Sequence, residues 1–243
     1  MTKPFRALLL AAGAGTRLRP LTNHTPKCLV PIGGEPLLNR WLNHLESIKC
    51  ERTLINTHHL ATQVNTFLDN RQRTTMTVER TYEPKLLGTA GTLMNNLDFF
   101  EKKTGLLIHA DNATNVDLAE FIKAHRNRPE GCLLTMMTFN TDSPSKCGIV
   151  QVNKEGVVEG FYEKVTDPPG NTANGAIYAF DNEFLTFLNE MEVTPTDFSN
   201  QVLPGLCRQI YTWHTDDVYI DVGTPDNLMK AQSMLSVTQK PET

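Results

Sequence analysis

Gly13, Gly15, Arg17 and Lys27 are the residues of this chain whose types and spacing first suggest chemistry. They lie in the segment Arg6 to Gly34, RALLLAAGAGTRLRPLTNHTPKCLVPIGG, which opens with the apolar run Ala7 to Ala12. That run is short and ends sharply at Gly13, the pattern of a buried strand rather than a helix. The small residues Gly13-Ala14-Gly15-Thr16 follow, and they let backbone N–H groups approach a ligand closely. Two cations come next, Arg17 and Lys27, with Pro26 fixing the backbone just before the second. A strand that empties into glycines and then presents an Arg and a Lys is suited to holding phosphate oxygens. Two familiar phosphate loops do not fit: no Gly-x-x-x-x-Gly-Lys-Ser/Thr is present, and Gly13-x-Gly15-x-x-Leu18 lacks the third glycine of the dinucleotide fingerprint.

These residues need a scaffold, and the rest of the sequence supplies short apolar strands alternating with helical stretches. Pro36 to Ile48 repeats apolar residues at helical spacing, with Leu37, Leu38, Trp41, Leu42 and Leu45 on one side. Strands are expected at 53–56, 76–80, 105–110 and 132–139. Helices are expected at 60–68, at 89–97 and at 117–125, with Asp117 as the cap of the last. This rhythm predicts an α/β fold, Rossmann-like, with a mixed and mostly parallel sheet, helices on both faces, and ligands beyond the carboxyl ends of the strands. From about residue 141 the pattern changes. Residues 148–152 and 157–161 flank Asn153-Lys154-Glu155-Gly156 as a β-hairpin. A strand at 173–180, helices at 183–191 and 198–206, strand pieces near 210 and 218–220, and a last helix at 225–235 complete the reading. The tail from Val237 is polar and expected to fray. One domain over 1–243 is expected, its first 140 residues forming one part and about 141–236 a smaller, β-rich one.

Composition narrows the function classes. The chain has 243 residues, 40% hydrophobic and 21% charged, with a net charge of −4, so no global basic field points to nucleic acid or an anionic membrane. No apolar stretch approaches the length of a membrane span. The phosphate motif begins so near the N-terminus that a cleaved leader would remove part of it, and a cytoplasmic location is expected. Cys28, Cys50, Cys132, Cys147 and Cys207 are scattered without a Cys-x-x-Cys pair, as in a reduced protein lacking a zinc site or disulfide framework.

The strings LAAGAGTRLRPLT and PKCLVPIGGEPLL together resemble the signature of the sugar-1-phosphate nucleotidyltransferases, the nucleotide-sugar pyrophosphorylases. The resemblance implies a GT-A-like nucleotidyltransferase fold with nucleoside triphosphate and sugar-1-phosphate as substrates. No hexapeptide repeat follows, so the C-terminal β-helix of some members is not expected. In the family an oxygen of the sugar phosphate attacks the α-phosphorus and pyrophosphate leaves. Such a nucleophile is already an anion, so no activated Ser, Cys or His is required; the protein must align two anions and neutralise the leaving charge.

By this resemblance, Arg17 and Lys27 are the catalytic cations, and Leu10, Ala11, Ala12, Gly13, Gly15 and Thr16 surround the nucleotide. Asp111, at the end of a strand, and Asp221, in Tyr219-Ile-Asp-Val-Gly-Thr-Pro225, match the ligands of a magnesium ion (Mg2+), which favours a few carboxylates completed by phosphate oxygens and water. Ala110 stands where the family usually has glycine. Glu163 and Lys164 match the pair that grips the sugar and its phosphate, although Val165 replaces the usual proline. Gly148 and Asn174 match sugar-binding positions, and Cys147 replaces a frequent tyrosine. Glu83 lies five positions before Gly88 in Leu87-Gly88-Thr89-Ala90-Gly91, where the family reads the base. A carboxylate there suits the adjacent N1–H and N2–H donors of guanine, and the segment looks like that of the mannose-1-phosphate guanylyltransferases. Uridylyltransferases of similar size also carry acidic loops here. A phosphocholine cytidylyltransferase-like enzyme and a non-catalytic nucleotide-sugar-binding relative are the other readings.

Overall fold

The structure, a computed structural model, describes residues 4–72 and 74–236; the expected polar tail lies outside them. The apolar run after Arg6 forms β1 (Phe5–Leu10), whose side chains alternate between two cores: Ala7 and Leu9 enter one, Leu8 the other. A strand buried on both faces is what an unbroken apolar run encodes. The short pair β2 (Pro31–Ile32) and β3 (Glu35–Pro36) turns through Gly33-Gly34 into α1 (Leu37–Ser47). The five apolar residues predicted to share one side of α1 are all buried, each contributing about 1.5–3 kcal/mol on transfer from water.

The chain continues through β4 (Arg52–Thr57), α2 (Ala61–Asn70), β5 (Thr77–Tyr82), α3 (Thr89–Met94), β6 (Thr104–His109), β7 (Asn112–Thr114), α4 (Leu118–Arg126) and β8 (Leu134–Asn140). Asp117 caps α4 as expected, accepting from the backbone N–H groups of Ala119 (2.8 Å) and Glu120 (3.3 Å). The predicted hairpin is β9 (Gly148–Val152) with β10 (Val158–Glu163), antiparallel. Then come β11 (Thr172–Phe180), α5 (Asn182–Asn189), β12 (Ile210–His214), β13 (Tyr219–Asp221) and α6 (Pro225–Met234).

The main sheet runs β10-β9-β11-β6-β1-β4-β5, with β8 beside β11 and β12 beside β8. Strands β6, β1, β4 and β5 are mutually parallel, while β11 runs antiparallel to β6, β8 and β9. Helices α1, α2, α4 and α6 pack on one face and α3 and α5 on the other, as the alternation predicted. Two expected helices are shorter. Residues 89–97 stop as a helix at Met94, and a separate 3-10 turn occupies Leu97–Phe100. Residues 198–206 form a π turn, Phe198–Val202, followed by a 3-10 turn, Leu203–Leu206. Pro204 removes a backbone donor inside that stretch and prevents one continuous helix. Among the described residues no helix is long and apolar enough to cross a membrane.

Candidate active site

Strand β1 pairs with β4 on one side and with β6, reached only after β5, on the other, so strand order reverses at β1 and a crevice opens beyond the carboxyl ends. Leu10 at the end of β1 is paired with His109 at the end of β6, so the loops after them emerge together. Asp111 sits just beyond β6. Strand β7 pairs antiparallel with β13, setting Asp221 opposite Asn112, and the Val222 N–H donates to the Asp111 carbonyl at 3.0 Å. Two acids from distant parts of the chain thereby become neighbours. The indole N–H of Trp41 donates to the Asn112 carbonyl at 2.9 Å, tying this loop to α1.

Lys27 and Arg17 meet those acids. The Lys27 ammonium donates to Asp111 Oδ2 at 2.6 Å and to Asp221 Oδ1 at 3.3 Å, and Arg17 Nη2 lies 3.5 Å from Asp221 Oδ2. The Lys27 side chain is 7% exposed, whereas those of Asp111 and Asp221 are 41% and 47% exposed, leaving the acids open to a further ligand. Burial pushes the Asp111 carboxyl upward, but the neighbouring positive charge of Lys27, and then His109, outweigh it and hold the group below the usual carboxylate range. Carboxylate oxygens from two chain segments converging on one cation position match the donor set of a divalent ion completed by substrate and water. Among the described residues no group of three or more His, Cys, Asp or Glu side chains forms a closed metal cage.

Two glycines shape this cluster. Gly15 has φ +61°, and a Cβ there would lie 2.9 Å from Thr22 Cγ2 and 3.1 Å from Lys27 Cβ. Gly223 lies so close to the ion pair that a Cβ would be 2.6 Å from Arg17 Nη2 and 2.8 Å from Asp221 Oδ2. Gly223→Ala is therefore expected to push Arg17 off Asp221 and to lower kcat/KM by about tenfold with little loss of stability, since a small misplacement of positioning groups costs this much or more. Steady-state kinetics beside a thermal melt check this; unchanged kcat/KM would show that Arg17 does not depend on that contact.

A cavity of about 230 Å³ opens next to Lys27 and Asp111. Of the residues assigned to the nucleotide, Leu10, Ala11, Ala12, Gly13, Glu83, Gly88 and Thr89 line it, while Gly15, Thr16 and Arg17 lie outside its walls. Several of these groups are already engaged. The Ala11 and Ala12 amides donate to Asn56 Oδ1 at 2.7 and 3.2 Å. Thr89 Oγ1 accepts from the Phe198 N–H at 2.8 Å, and the Thr196 carbonyl takes the Ala90 N–H at 3.0 Å. Gly88, with φ +81°, lets that carbonyl approach, since a Cβ would lie 2.3 Å from it. Glu83 is 3% exposed and accepts from Asn56 Nδ2 (2.9 Å), Thr92 Oγ1 (2.6 Å) and the Leu87 N–H (3.0 Å).

The residues assigned to the sugar phosphate lie around the β9–β10 pair and β11. Glu163 is opposite Gly148, and a Cβ at Gly148 would lie 2.5 Å from Glu163 Oε2. Lys164, at φ +51°, reaches Glu163 Oε1 at 2.9 Å and stays 65% exposed. Register shifts in β11 between Asn174 and Tyr178, and Asn174 uses its side chain there, donating to the Tyr178 hydroxyl (2.7 Å) and accepting from the Ala176 N–H (2.9 Å). The Tyr219 hydroxyl donates to the Gly175 carbonyl, so the strand that carries Asp221 is tied to this bulge. Burial, then the charges of Asp111 and other neighbours, push the Tyr219 phenol far up and keep it a donor.

Sequence reasoning missed Asn56, Thr92 and His109, all in the cavity wall. Asn56 ends a strand run and Thr92 lies within a short helix, so no local pattern marks either. His109, two residues before Asp111, offered a signal in its position, a polar residue ending an apolar strand. Its Nε2 is buried without a hydrogen-bond partner among the described residues, and burial depresses its basicity.

Comparison with known proteins identifies the family of the chain. The nucleotidyl transferase family profile matches residues 6–237, and the chain belongs to that family. It is 29% identical over 230 residues to the mannose-1-phosphate guanylyltransferase catalytic subunit beta of Drosophila pseudoobscura pseudoobscura, covering 92% of this chain and 60% of that protein. It is 27% identical over 249 residues to a UTP–glucose-1-phosphate uridylyltransferase of Synechocystis, covering 96% of this chain and 64% of the relative. The chain thus spans a little under two thirds of the length of these curated relatives. A solved structure described as a putative glucose-1-phosphate thymidylyltransferase from Bacillus anthracis shares the fold, with a TM-score of 0.85 at 20% identity, covering 96% of this chain and 95% of that one.

Proposed function

We propose that the chain transfers a nucleotidyl group from a nucleoside triphosphate to a sugar-1-phosphate, releasing pyrophosphate. The observation that carries this reading is the meeting of Lys27 with both Asp111 and Asp221, with Arg17 on Asp221, where Lys27 and Asp111 form the rim of the cavity. Positive side chains at that rim draw in the triphosphate and offset the negative charge that grows on the leaving pyrophosphate. Asp111 and Asp221 would hold Mg2+, which supplies charge neutralisation at the phosphates. Lys164 and Glu163 would grip the sugar phosphate, with Gly148 and Asn174 against the sugar and Glu83 toward the base. Neither a nucleophilic side chain nor a general base is needed, because the attacking phosphate oxygen is already anionic.

For the particular substrates, GTP with mannose-1-phosphate or a related hexose- or heptose-1-phosphate is the reading favoured by the guanylyltransferase relative. The uridylyltransferase relative keeps UTP with another sugar-1-phosphate as the second reading. Pyrophosphate release with each of GTP, UTP, dTTP and CTP against a small panel of sugar-1-phosphates, with magnesium, tests both. Release with one pairing supports the proposal; no release with any pairing would favour a non-catalytic nucleotide-sugar-binding protein.

A further inference from the structure

Asn56 occupies the space between two parts of the site that are far apart in sequence. It is the penultimate residue of β4, is 4% exposed, and its amide group is used on both sides. On one side Oδ1 accepts from the Ala11 and Ala12 N–H groups, the first amides of the loop that follows β1. On the other side Nδ2 donates to Glu83 Oε1 at 2.9 Å and lies 3.3 Å from Thr92 Oγ1. The amide cannot be turned around: backbone N–H groups only donate and a carboxylate only accepts, so each side of Asn56 has one chemically permitted atom. Every group in this chain of contacts is buried or half-buried, where such bonds hold orientation firmly.

The count at Glu83 matters equally. A carboxylate has about four acceptor positions. Asn56 fills one position of Oε1, and the single Thr92 hydroxyl proton, nearer to Oε1 (2.6 Å) than to the Gly88 carbonyl (3.0 Å), fills the other; the Leu87 N–H fills one position of Oε2, so one remains, on Oε2.

We infer that Asn56 is a positioning residue that locks the base-facing carboxylate of Glu83 to the phosphate-side loop at Ala11 and Ala12, leaving Glu83 one acceptor for the nucleobase. This rests on the nucleotidyltransferase reading and deepens it. A base with one suitably placed N–H satisfies that acceptor, whether the N1–H of guanine or the N3–H of uracil. Glu83 alone therefore does not separate those two bases, and the second donor of guanine must be met by another group or by water. The arrangement also means that Asn56 sets the distance between the base and the phosphates, because both walls hang from the same planar amide.

Three variants take the two sides apart. Asn56→Asp keeps an acceptor for Ala11 and Ala12 but places a carboxylate against Glu83. Asn56→Ala removes both sets of contacts. Asn56→Asp combined with Glu83→Gln exchanges the amide and the acid: the amide now at position 83 would donate to the carboxylate now at position 56, while its carbonyl oxygen accepts from Leu87 and keeps the free position. Binding is read by calorimetry with magnesium present, using GTP and UTP as nucleotides and inorganic tripolyphosphate as a probe without a base. Asn56→Asp is expected to weaken GTP and UTP by about tenfold or more and to leave tripolyphosphate nearly unchanged, the loss set by one charge-assisted hydrogen bond. Asn56→Ala should weaken all three. The exchanged double variant should recover most of the nucleotide affinity, which a merely structural role would not produce.

Undiminished nucleotide binding by Asn56→Asp overturns the inference, as does a double variant no better than Asn56→Asp alone. Equal loss of tripolyphosphate and nucleotide in Asn56→Asp overturns it too. If Asn56→Asp does not fold, the double variant decides alone: a melting temperature and nucleotide affinity near wild type support the exchanged pair, and a double variant that is equally unfolded overturns it. A wild-type protein that binds neither nucleotide nor tripolyphosphate would instead defeat the nucleotidyltransferase reading itself.

Discussion

Asp111→Asn should lower turnover at least about a thousandfold, because the metal-holding role proposed for Asp111, neutralising the reacting phosphates, contributes several kcal/mol to the transition state. The fold should survive. The Asp111 carbonyl, not its side chain, accepts the Val222 N–H that joins the two acidic loops, and asparagine still offers an acceptor to Lys27. The measurement pairs pyrophosphate release with a thermal melt and with Mn2+ binding in the presence of nucleotide, followed by electron paramagnetic resonance. A folded variant that neither binds Mn2+ nor turns over is the expected result. A variant with near-normal rate would remove Asp111 from the metal site.

Lys27→Met should lower kcat by about a hundredfold to a thousandfold at saturating nucleotide and metal, the range found when one preorganised donor to developing charge is lost. The side chain is nearly isosteric in its methylene stem, so packing is largely kept. The contact with Asp111 and Asp221 has a smaller effect on stability, about 1 kcal/mol or less, since both acids are more than a third exposed and solvent screens them. Lys27→Arg should not rescue the rate. The Lys27 side chain is 7% exposed, which leaves little space for a larger head, and a planar guanidinium cannot replace a compact ammonium between the two carboxylate oxygens. Because Lys27 touches Asp111 directly, the double variant Lys27→Met with Asp111→Asn should lose less than the product of the two single losses. A fully multiplicative loss would mean that the two residues act independently.

Much of the scaffold was legible because it is written locally. The strand at β1 follows from six adjacent residues, α1 from a repeat within eleven, and the α4 cap from Asp117 and the two amides just after it. The loop from Gly13 to Lys27 is likewise local, and its chemistry shows in residue type alone. The 198–206 segment failed on the same principle: its apolar spacing suggested a helix, but Pro204 and the packing of Phe198 and Val202 into the second core selected a wider π turn followed by a tighter 3-10 turn.

By itself the sequence determined an alternating α/β chain, a glycine-lined bend with two cations, and the acids at 111 and 221 as candidates for one site. Only the tertiary structure decided that those acids share the Lys27 ammonium, because the β7–β13 pairing that joins them depends on a whole sheet being assembled between them. It also decided that the Ala11 and Ala12 amides and the Glu83 carboxylate are held by Asn56 rather than standing open to substrate. The physical reason is the range of the forces involved. Helix and strand preference is set by neighbours along the chain, whereas a buried hydrogen bond forms wherever folding brings donor and acceptor together, and no spacing in the sequence encodes that meeting.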